Sequence, residues 1–404
     1  MRRALIASVA GLGLTFISCG PTSTPTPSPG TPIKIGVSVS LTGDFSSDGP
    51  ALRKGYDLWA DDVNKKGGLL GHMVTMVYKD DASSTQQVVT NYQTLISSDK
   101  VDLVFGPYSS LLTIPAATVV DRLNYAFPEP AGGGPKVFAL GLHSLFFVQP
   151  AAIEDNLVSY TKWLLSLPAD QRPATAAYAT EDDPFTQPQV DKAKSLLEAG
   201  GVRTAYYHVY PAETTDFTPL ALHVASSKAD AVILGTQVPD SIAFAKTFIQ
   251  QHYNPKTIIE TAGPDQGAQF SDKLGANTEG IMVPAGWTAS STAYGNPQFV
   301  SEFIAKYGGK AADISADSSE AYSVGQVVDQ AAKKANSIDN LKLIDALHTG
   351  IYQTVQGPMG FDSVGKPQGG VGVFVEQWQG GNAVFVYPTT VAAAQPQYPK
   401  RNWQ

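Results

Sequence analysis

Residues 33–49 read IKIGVSVSLTGDFSSDG, and this stretch decides the fold class. Its first part, residues 33–40, is mostly apolar and rich in β-branched side chains, which is typical of a buried strand. A polar loop with glycines follows over residues 42–50. Apolar residues then recur at helical spacing, and this stripe consists of Leu52, Tyr56, Trp59 and Val63. The stretch therefore predicts a strand, a loop and a helix in that order.

The same order recurs along the chain. Residues 73–78 and 101–105 predict strands, and residues 85–98 predict a helix. Consecutive strand and helix units place their strands in one parallel sheet. After Gln149 the alternation resumes, with predicted helices at 152–166, 188–199, 217–227 and 239–251 and predicted strands at 175–179, 205–210, 231–234 and 257–260. We therefore expect an α/β fold with two Rossmann-like lobes, each with a parallel-sheet core.

The last part of the chain contains helices and short strands that have to join these lobes. The predicted elements are helices at 297–307, 318–335 and 340–348, followed by strands at 357–361, 371–377 and 383–387. The simplest arrangement places some of these elements in each lobe, so that the chain crosses between the lobes several times at a hinge. We assign residues 33–148 and 285–355 to lobe 1, residues 149–284 and 356–390 to lobe 2, and residues 391–404 to a C-terminal tail.

The N-terminus predicts export and a lipid anchor. The basic start MRR precedes an apolar run over residues 4–17, which outlines a signal peptide over residues 1–18. This run is shorter than the roughly 20 residues of a membrane-spanning helix. Cys19, the only cysteine, follows in the setting FISCG, which resembles the lipobox of bacterial lipoproteins although Phe16 replaces the usual leucine. An ordinary signal peptide that ends near a chance cysteine is the alternative.

Residues 19–32 form a lipid-anchored linker in this interpretation. The segment 20–32 reads GPTSTPTPSPGTP and has no charge and no large side chain with which to build a core. Such Pro/Ser/Thr stretches stay extended and solvated, which suits a domain that stands off a lipid surface. We therefore expect an extracytoplasmic protein, in the periplasm or on the cell surface, that is anchored to the membrane through Cys19.

Several classes of function find no support in the sequence. It has no GxxxxGK[ST], HExxH or GxSxG motif, and its six histidines are scattered without metal-ligand spacing. A formal net charge of −8 without basic clusters argues against a nucleic-acid partner. We expect no catalytic residue, no metal, no cofactor and a monomeric protein.

Candidate binding residues follow predicted strands, where open α/β sheets bind ligands. Ser109 and Ser110 follow the third strand and can either donate to a carboxylate or cap the next helix. Asp265 has the corresponding position in the second unit, where it can take an ammonium group or form a turn. Phe185, Gln237 and Trp287 are further candidates, with burial in the core as the alternative for the aromatic residues.

A glycine run, Gly132 to Gly134, follows another predicted strand. Its spacing does not fit GxGxxG, which argues against a nucleotide-binding loop. Glycines in this position let backbone N–H groups approach an anion closely. A flexible surface turn is the alternative.

These features together resemble the type I periplasmic-binding-protein family that includes the branched-chain amino-acid receptors. The motifs that carry the resemblance are the opening stretch 33–49, NKKGGLLG at 64–71, YKDDA at 78–82, VFGPYSS at 104–110 and GPMGFDSVG at 357–365. The resemblance spans Ile33 to Tyr387. It implies two Rossmann-like lobes, a three-crossover hinge, and closure of the lobes on a ligand.

The resemblance also implies roles for individual residues. Ser110, Ala131 and Gly133 lie where the family holds the α-carboxylate and amine of an amino acid, and Asp265 lies where an acidic residue meets the ammonium group. Gly133 replaces a hydroxyl residue of amino-acid-binding relatives. Phe185 and Gln237 replace tyrosines of the best-known receptors, and these departures leave the ligand's identity open.

The function expected from the sequence is solute capture for import. A small ligand, an amino acid or a related polar or aromatic acid or amide, is bound between the lobes and delivered to the permease subunits of an ABC importer. A receptor that senses the ligand without transport is the alternative within the same fold. An extracellular α/β hydrolase is a more remote one.

Overall fold

The computed structural model describes residues 30–370 and 372–404. The predicted signal peptide, Cys19 and the linker up to residue 29 lie outside the described residues. Within the described part of the chain, no helix combines the length and the apolar character needed to cross a membrane.

The first lobe begins with the strands β1 (Ile33–Val39), β2 (Val74–Asp80), β3 (Leu103–Phe105), β4 (Phe127–Glu129) and β5 (Leu145–Phe147). β1 lies between β2 and β3, and β4 pairs in parallel with β5. The Gly106 N–H donates to the Pro128 carbonyl at 3.0 Å and continues the sheet from β3 to β4. The connecting helices are α1 (Gly49–Lys65), α2 (Thr85–Ser97), α3 (Ser110–Arg122) and α4 (Pro135–Phe138).

The second lobe follows a 3-10 turn at Ile153–Asp155. Its helices are α5 (Val158–Ser166), α6 (Thr186–Ala199), α7 (Thr218–Ser226), α8 (Val238–Gln250) and α9 (Ala268–Leu274). Its strands are β6 (Thr175–Glu181), β7 (Arg203–Tyr210), β8 (Ala231–Gly235), β9 (Thr257–Glu260) and β10 (Ile281–Ala285). These strands pair in parallel in the order β10-β9-β8-β6-β7. The expected alternation of strands and helices is therefore confirmed in both lobes.

The chain then returns to the first lobe with α10 (Asn296–Tyr307), α11 (Ala316–Ala335) and α12 (Asn340–His348). α11 packs tightly on α1, because a Cβ at Gly325 would lie 2.1 Å from the Trp59 ring. All four residues of the predicted α1 stripe are buried. The remaining strands are β11 (Tyr352–Thr354), β12 (Gly357–Phe361), β13 (Pro367–Gln368), β14 (Phe374–Gln379) and β15 (Asn382–Tyr387).

The structure corrects the predicted boundary of lobe 2 at residue 356. β12 pairs antiparallel with β11 and β13, and Met359 and Phe361 are buried in the core of the first lobe. The chain enters the second lobe only with β14, which pairs antiparallel with β10 and carries β15 at the sheet edge. The expected tail packs on this lobe too, since the Trp403 indole N–H donates to the Tyr253 carbonyl at 2.7 Å.

Three crossings connect the lobes, and they lie side by side. The first passes through Pro150, the second through Gly286 and the third through Gly370. A Cβ at Gly286 would lie 2.9 Å from the Pro150 side chain, and a Cβ at Gly370 would lie 2.2 Å from the Pro150 carbonyl oxygen. Only glycine permits this approach, so the crossings form one packed hinge.

Substitution of Gly370 tests the packing of the hinge. Gly370→Ala forces the third crossing away from Pro150, and we expect it to lower the free energy of unfolding by about 1–3 kcal/mol, as overpacking does. Gln368→Ala, two residues away at an exposed position, should change it by less than about 0.5 kcal/mol. Urea denaturation of both variants measures the difference. Equal midpoints for Gly370→Ala and the unmodified protein would show that the crossings do not depend on this contact.

Candidate ligand-binding site between the lobes

A cavity of about 60 Å³ lies between the lobes, next to the hinge. Its walls come from both lobes, because residues that follow β3, β4, β6, β8 and β9 converge there. This is the edge of the sheets at which α/β folds bind ligands. Of the residues predicted from the sequence, the walls include Ser109, Ala131, Phe185, Gln237 and Asp265.

The two predicted serines have different positions. Ser109 contacts the cavity and also caps α3, because its Oγ accepts the Leu112 N–H at 3.4 Å. Its φ of 70° lies in the left-handed region, a strained conformation for serine that clusters at functional sites. Ser110 is fully buried behind the cavity wall. Its Oγ accepts the Gly134 N–H at 3.0 Å and holds the glycine run in place.

The glycine run is a packed loop whose amides are partly used within the protein. The Ala131 and Gly132 N–H groups donate to Glu129 Oε2 at 2.9 and 2.5 Å. Burial raises the pKa of Glu129 to about 8, and these two hydrogen bonds offset part of that effect. A Cβ at Gly133 would lie 2.1 Å from the Phe147 ring, so this glycine is required for packing. The flexible-turn interpretation is wrong, and two of the amides expected to face an anion bind Glu129 instead.

Asp265 combines both roles considered for it. Its Oδ1 accepts the Gly263 N–H at 2.8 Å, which shapes the turn after β9, and its side chain also contacts the cavity. Burial raises the pKa of Asp265 to about 6. The turn former is therefore also a carboxylate presented to the space between the lobes.

Gln237 contacts lobe 1 from its position at the start of α8. Its Oε1 accepts the Tyr108 hydroxyl at 3.2 Å across the cleft. Its Nε2 is buried and has no hydrogen-bond partner among the residues that the structure describes. A buried donor without a partner is destabilising, so this amide is suited to an acceptor on a ligand.

Trp287, another residue predicted to line the site, does not line this cavity. Its indole N–H donates to Asn296 Oδ1 at 2.5 Å, and its ring packs edge-on against Phe299 with centroids 5.8 Å apart. It lines a smaller neighbouring cavity of about 40 Å³. The tryptophan belongs to the core of the first lobe, which was the alternative for this residue.

Two acidic residues that the sequence did not single out also line the cavity. Asp317 and Glu320 lie in the first turns of α11. Burial raises the pKa of both side chains, that of Glu320 to about 8. Acidic residues at a helix N-terminus are usual for electrostatic reasons. The weak signal that could have found them is their spacing, because acidic residues three positions apart lie on the same face of a helix.

The lobes touch each other around the cavity. The Ser315 hydroxyl donates to Gln266 Oε1 at 2.6 Å, and the Ala316 N–H donates to the Asp265 carbonyl at 3.2 Å. On the outer side, the Gln269 amide donates to the Ser47 carbonyl at 2.8 Å. The structure is therefore a closed arrangement with a small enclosed site.

The structure has two α/β lobes, three adjacent crossings and an enclosed polar site between the sheet edges. These features define a two-lobed solute receptor. The comparisons with known proteins agree with this class. The chain belongs to the periplasmic binding protein family, whose model matches residues 32–395. Within that family it resembles proteins of the branched-chain amino-acid-binding type. Membership in this family implies an extracytoplasmic location.

Individual relatives align with most of this chain, although their sequence identity to it is low. Leu/Ile/Val-binding protein homolog 7 of Brucella melitensis is 23% identical over 380 residues, which are 91% of this chain and 94% of the relative. The leucine binding protein LivK from Thermotoga maritima has a TM-score of 0.75 at 18% identity, over 87% of this chain and 97% of that chain. An ABC transporter solute binding protein from R. palustris, solved with benzoate, has a TM-score of 0.76 at 18% identity, over 91% and 98%. The predicted type I fold is thereby confirmed.

The buried carboxyl groups predict a pH dependence of stability without ligand. Burial raises the pKa of Asp48 from 3.8 to about 7 and that of Glu320 from 4.5 to about 8. The folded protein holds these protons more tightly than the unfolded chain does. The stability gained in this way is complete below about pH 4 and is lost as the pH rises to about 8.

We therefore expect the thermal midpoint of the ligand-free protein to fall between about pH 5 and pH 8. The double variant Asp48→Asn with Glu320→Gln should show a smaller decrease, since neither new side chain ionises. Asp272→Asn, an exposed position, serves as the control and should keep the original slope. An unchanged slope in the double variant would contradict the assignment.

Proposed function

We propose that this protein captures a small solute between its lobes and delivers it to an ABC importer. The observation that supports this most is the enclosed cavity whose walls come from both lobes, with Tyr108 of one lobe bonded to Gln237 of the other at 3.2 Å. Because a ligand in this cavity contacts both lobes, it stabilises the closed arrangement. The closed surface is then what permease subunits recognise.

We also propose that the protein is a monomeric lipoprotein. Cys19 and the uncharged stretch 20–32 precede a domain that begins at β1. Two or three acyl chains, at about 0.8 kcal/mol per buried CH₂, suffice to hold such a domain at a membrane. The linker leaves room for the lobes to reach the permease.

Binding of a small solute is the first test of this function. Thermal midpoints are measured with a panel of amino acids, small amides, amines and aromatic acids. At a ligand concentration 100 times Kd, a bound ligand adds about 2.7 kcal/mol to the stability of the folded state. If no compound of the panel raises the thermal midpoint, solute capture is contradicted.

Asp265→Asn tests whether this carboxylate meets a positive group of the ligand. The loss of one partner of a buried charged pair costs about 2–5 kcal/mol, which is roughly a 30- to several-thousand-fold loss of affinity. Asparagine retains an oxygen that can accept the Gly263 N–H, so the turn is preserved. Asp272→Asn is the control and should bind normally. An unchanged affinity of Asp265→Asn would leave Asp265 with its turn role alone.

Cys19→Ser tests the anchor. If the cysteine carries the lipid, the variant should move from the membrane fraction to the soluble extracytoplasmic fraction. Ser18→Ala, which keeps the cysteine, is the control. Equal membrane retention of Cys19→Ser and the unmodified protein would contradict lipid attachment at this residue.

A further inference from the structure

We propose that the solute is an organic cation, a small molecule whose ammonium, amidine or guanidinium groups outnumber its carboxylates. This inference deepens the proposed function and rests on it, since it takes the cavity between the lobes as the solute site. Neutral aliphatic amino acids and aromatic acids are then weaker ligands or do not bind.

The composition of the cavity wall is the first observation. Three carboxylate side chains, those of Asp265, Asp317 and Glu320, line a space of about 60 Å³. In the described part of the chain, no lysine, arginine or histidine lines this space. None of the ion pairs found among residues 30–370 and 372–404 involves these three acids. A carboxylate removed from water is stable only when a positive group or several donors meet it.

Unused acceptor atoms in this region are the second, independent observation. Asp317 is 3% exposed, and within residues 30–370 and 372–404 its Oδ2 has no hydrogen-bond partner. Behind Tyr108, Asp48 is 1% exposed, and its Oδ1 is also without a partner in this part of the chain. Its other oxygen accepts the Ser47 hydroxyl at 2.7 Å. A ligand with several N–H donors supplies the hydrogen-bond donor that Asp317 Oδ2 lacks. Its positive charge also stabilises the carboxylate of Asp48.

A second cavity extends the acidic surface toward the outside. It has a volume of about 360 Å³, lies between the two lobes and shares Gln237 with the inner cavity. Its acidic lining residues are Asp44, Glu181, Glu213 and Asp240, and none of the described residues that line it is basic. A cleft lined by charges of one sign concentrates ligands of the opposite sign. The second cavity therefore favours cations.

The opposite side of the inner cavity is poorly equipped for an anion. The Ala131 and Gly132 N–H groups already donate to Glu129. Ser110 lies behind the wall and accepts the Gly134 N–H. The Gln237 amide and the Ser109 hydroxyl remain as neutral donors for a carbonyl or hydroxyl group. The carboxylates thus dominate the charge that a ligand meets.

The arrangement does not suit a metal ion. Among the described residues, no group of three or more His, Cys, Asp and Glu side chains is placed to hold one. The acids come from a loop of lobe 2 and a helix of lobe 1 and surround a space. An organic cation with N–H groups pointing in several directions matches this distribution better than a single ion does.

Calorimetric titration of the full chain, purified in detergent, tests the inference. The probes are agmatine, putrescine, arginine, lysine, leucine and benzoate, measured at about pH 8, where a larger share of these carboxyl groups is ionised than at neutral or acidic pH. We expect at least one cation to bind with a Kd at least tenfold lower than that of leucine or benzoate. The comparison of agmatine with arginine, and of putrescine with lysine, decides whether the ligand also carries a carboxylate.

Two variants tie the selectivity to the cavity. Asp317→Asn and Glu320→Gln should each raise the Kd of the cation at least tenfold while the Kd of leucine or benzoate stays the same or falls. Asp329→Asn, on the same helix but outside both cavities, is the control. Circular dichroism and thermal midpoints verify folding. If one variant does not fold, the other variant and the selectivity of the unmodified protein still decide the question.

The pH dependence gives a further readout. The groups that titrate around the cavity are Asp48, Asp265, Asp317, Glu320 and Glu376, and burial raises the pKa of each. The affinity for a cation should therefore increase between about pH 5.5 and pH 8, because a cation prefers the ionised carboxylates. A decrease over this range would overturn the inference.

The possible failures are distinguishable. Tight binding of leucine or benzoate, with no binding of any cation, would overturn the cation inference and leave solute capture intact. The absence of binding by every probe would overturn the inference and count against the proposed function as well. Equal affinities for cations and leucine would also overturn the inference.

Discussion

The packing of three chain crossings around Pro150 holds the two sheets edge to edge. Gly286 and Gly370 approach this proline so closely that a Cβ at either position would lie within 2.9 Å of it. With the crossings in one place, the loops that follow the strands of both lobes meet in front of them. The small volume of the cavity and its closed walls follow from this geometry, and so does the burial of the acidic side chains.

The carboxyl groups of this site are buried, and no positively charged side chain among the described residues pairs with them. Desolvation raises the pKa of Asp48, Asp265 and Glu320, and each of these carboxyl groups disfavours ionisation of a neighbour in the cluster. A protein can tolerate such a cluster by keeping protons on some of its members. It can also use the cluster to bind a cation, in which case the binding energy includes the relief of this repulsion. Affinity, stability and pH are then linked through the same few side chains.

The fold could be predicted from the sequence because its periodic elements are long and strongly patterned. The α1 stripe and the alternation after Gln149 identify the two lobes without further information. The short strand β12 was assigned to the wrong lobe, because the apolar pattern of five residues does not say which sheet they join. Pairing with β11, and burial of Met359 and Phe361 in the first core, decide that point.

The sequence could predict the site residues that follow the ends of strands. It could not predict those whose position depends on tertiary contacts. Ser109, Ala131, Phe185, Gln237 and Asp265 follow strands and line the cavity. Trp287 follows β10 but turns into the core, where Asn296 binds its indole N–H. Asp317 and Glu320 were missed because they enter from a helix that belongs to the other end of the chain. The hydrogen bond from the Ala131 amide to Glu129 is local, between residues two positions apart, but the strand pattern alone does not show that the glutamate side chain folds back onto this loop.

A crystal structure of the protein with the tightest-binding cation of the panel would test the central claim most directly. The account predicts ligand density in the cavity beside the hinge, with nitrogen atoms within about 3.2 Å of carboxylate oxygens, those of Asp265 and Asp317. A ligand bound elsewhere, or one whose positive group faces away from these carboxylates, would contradict it.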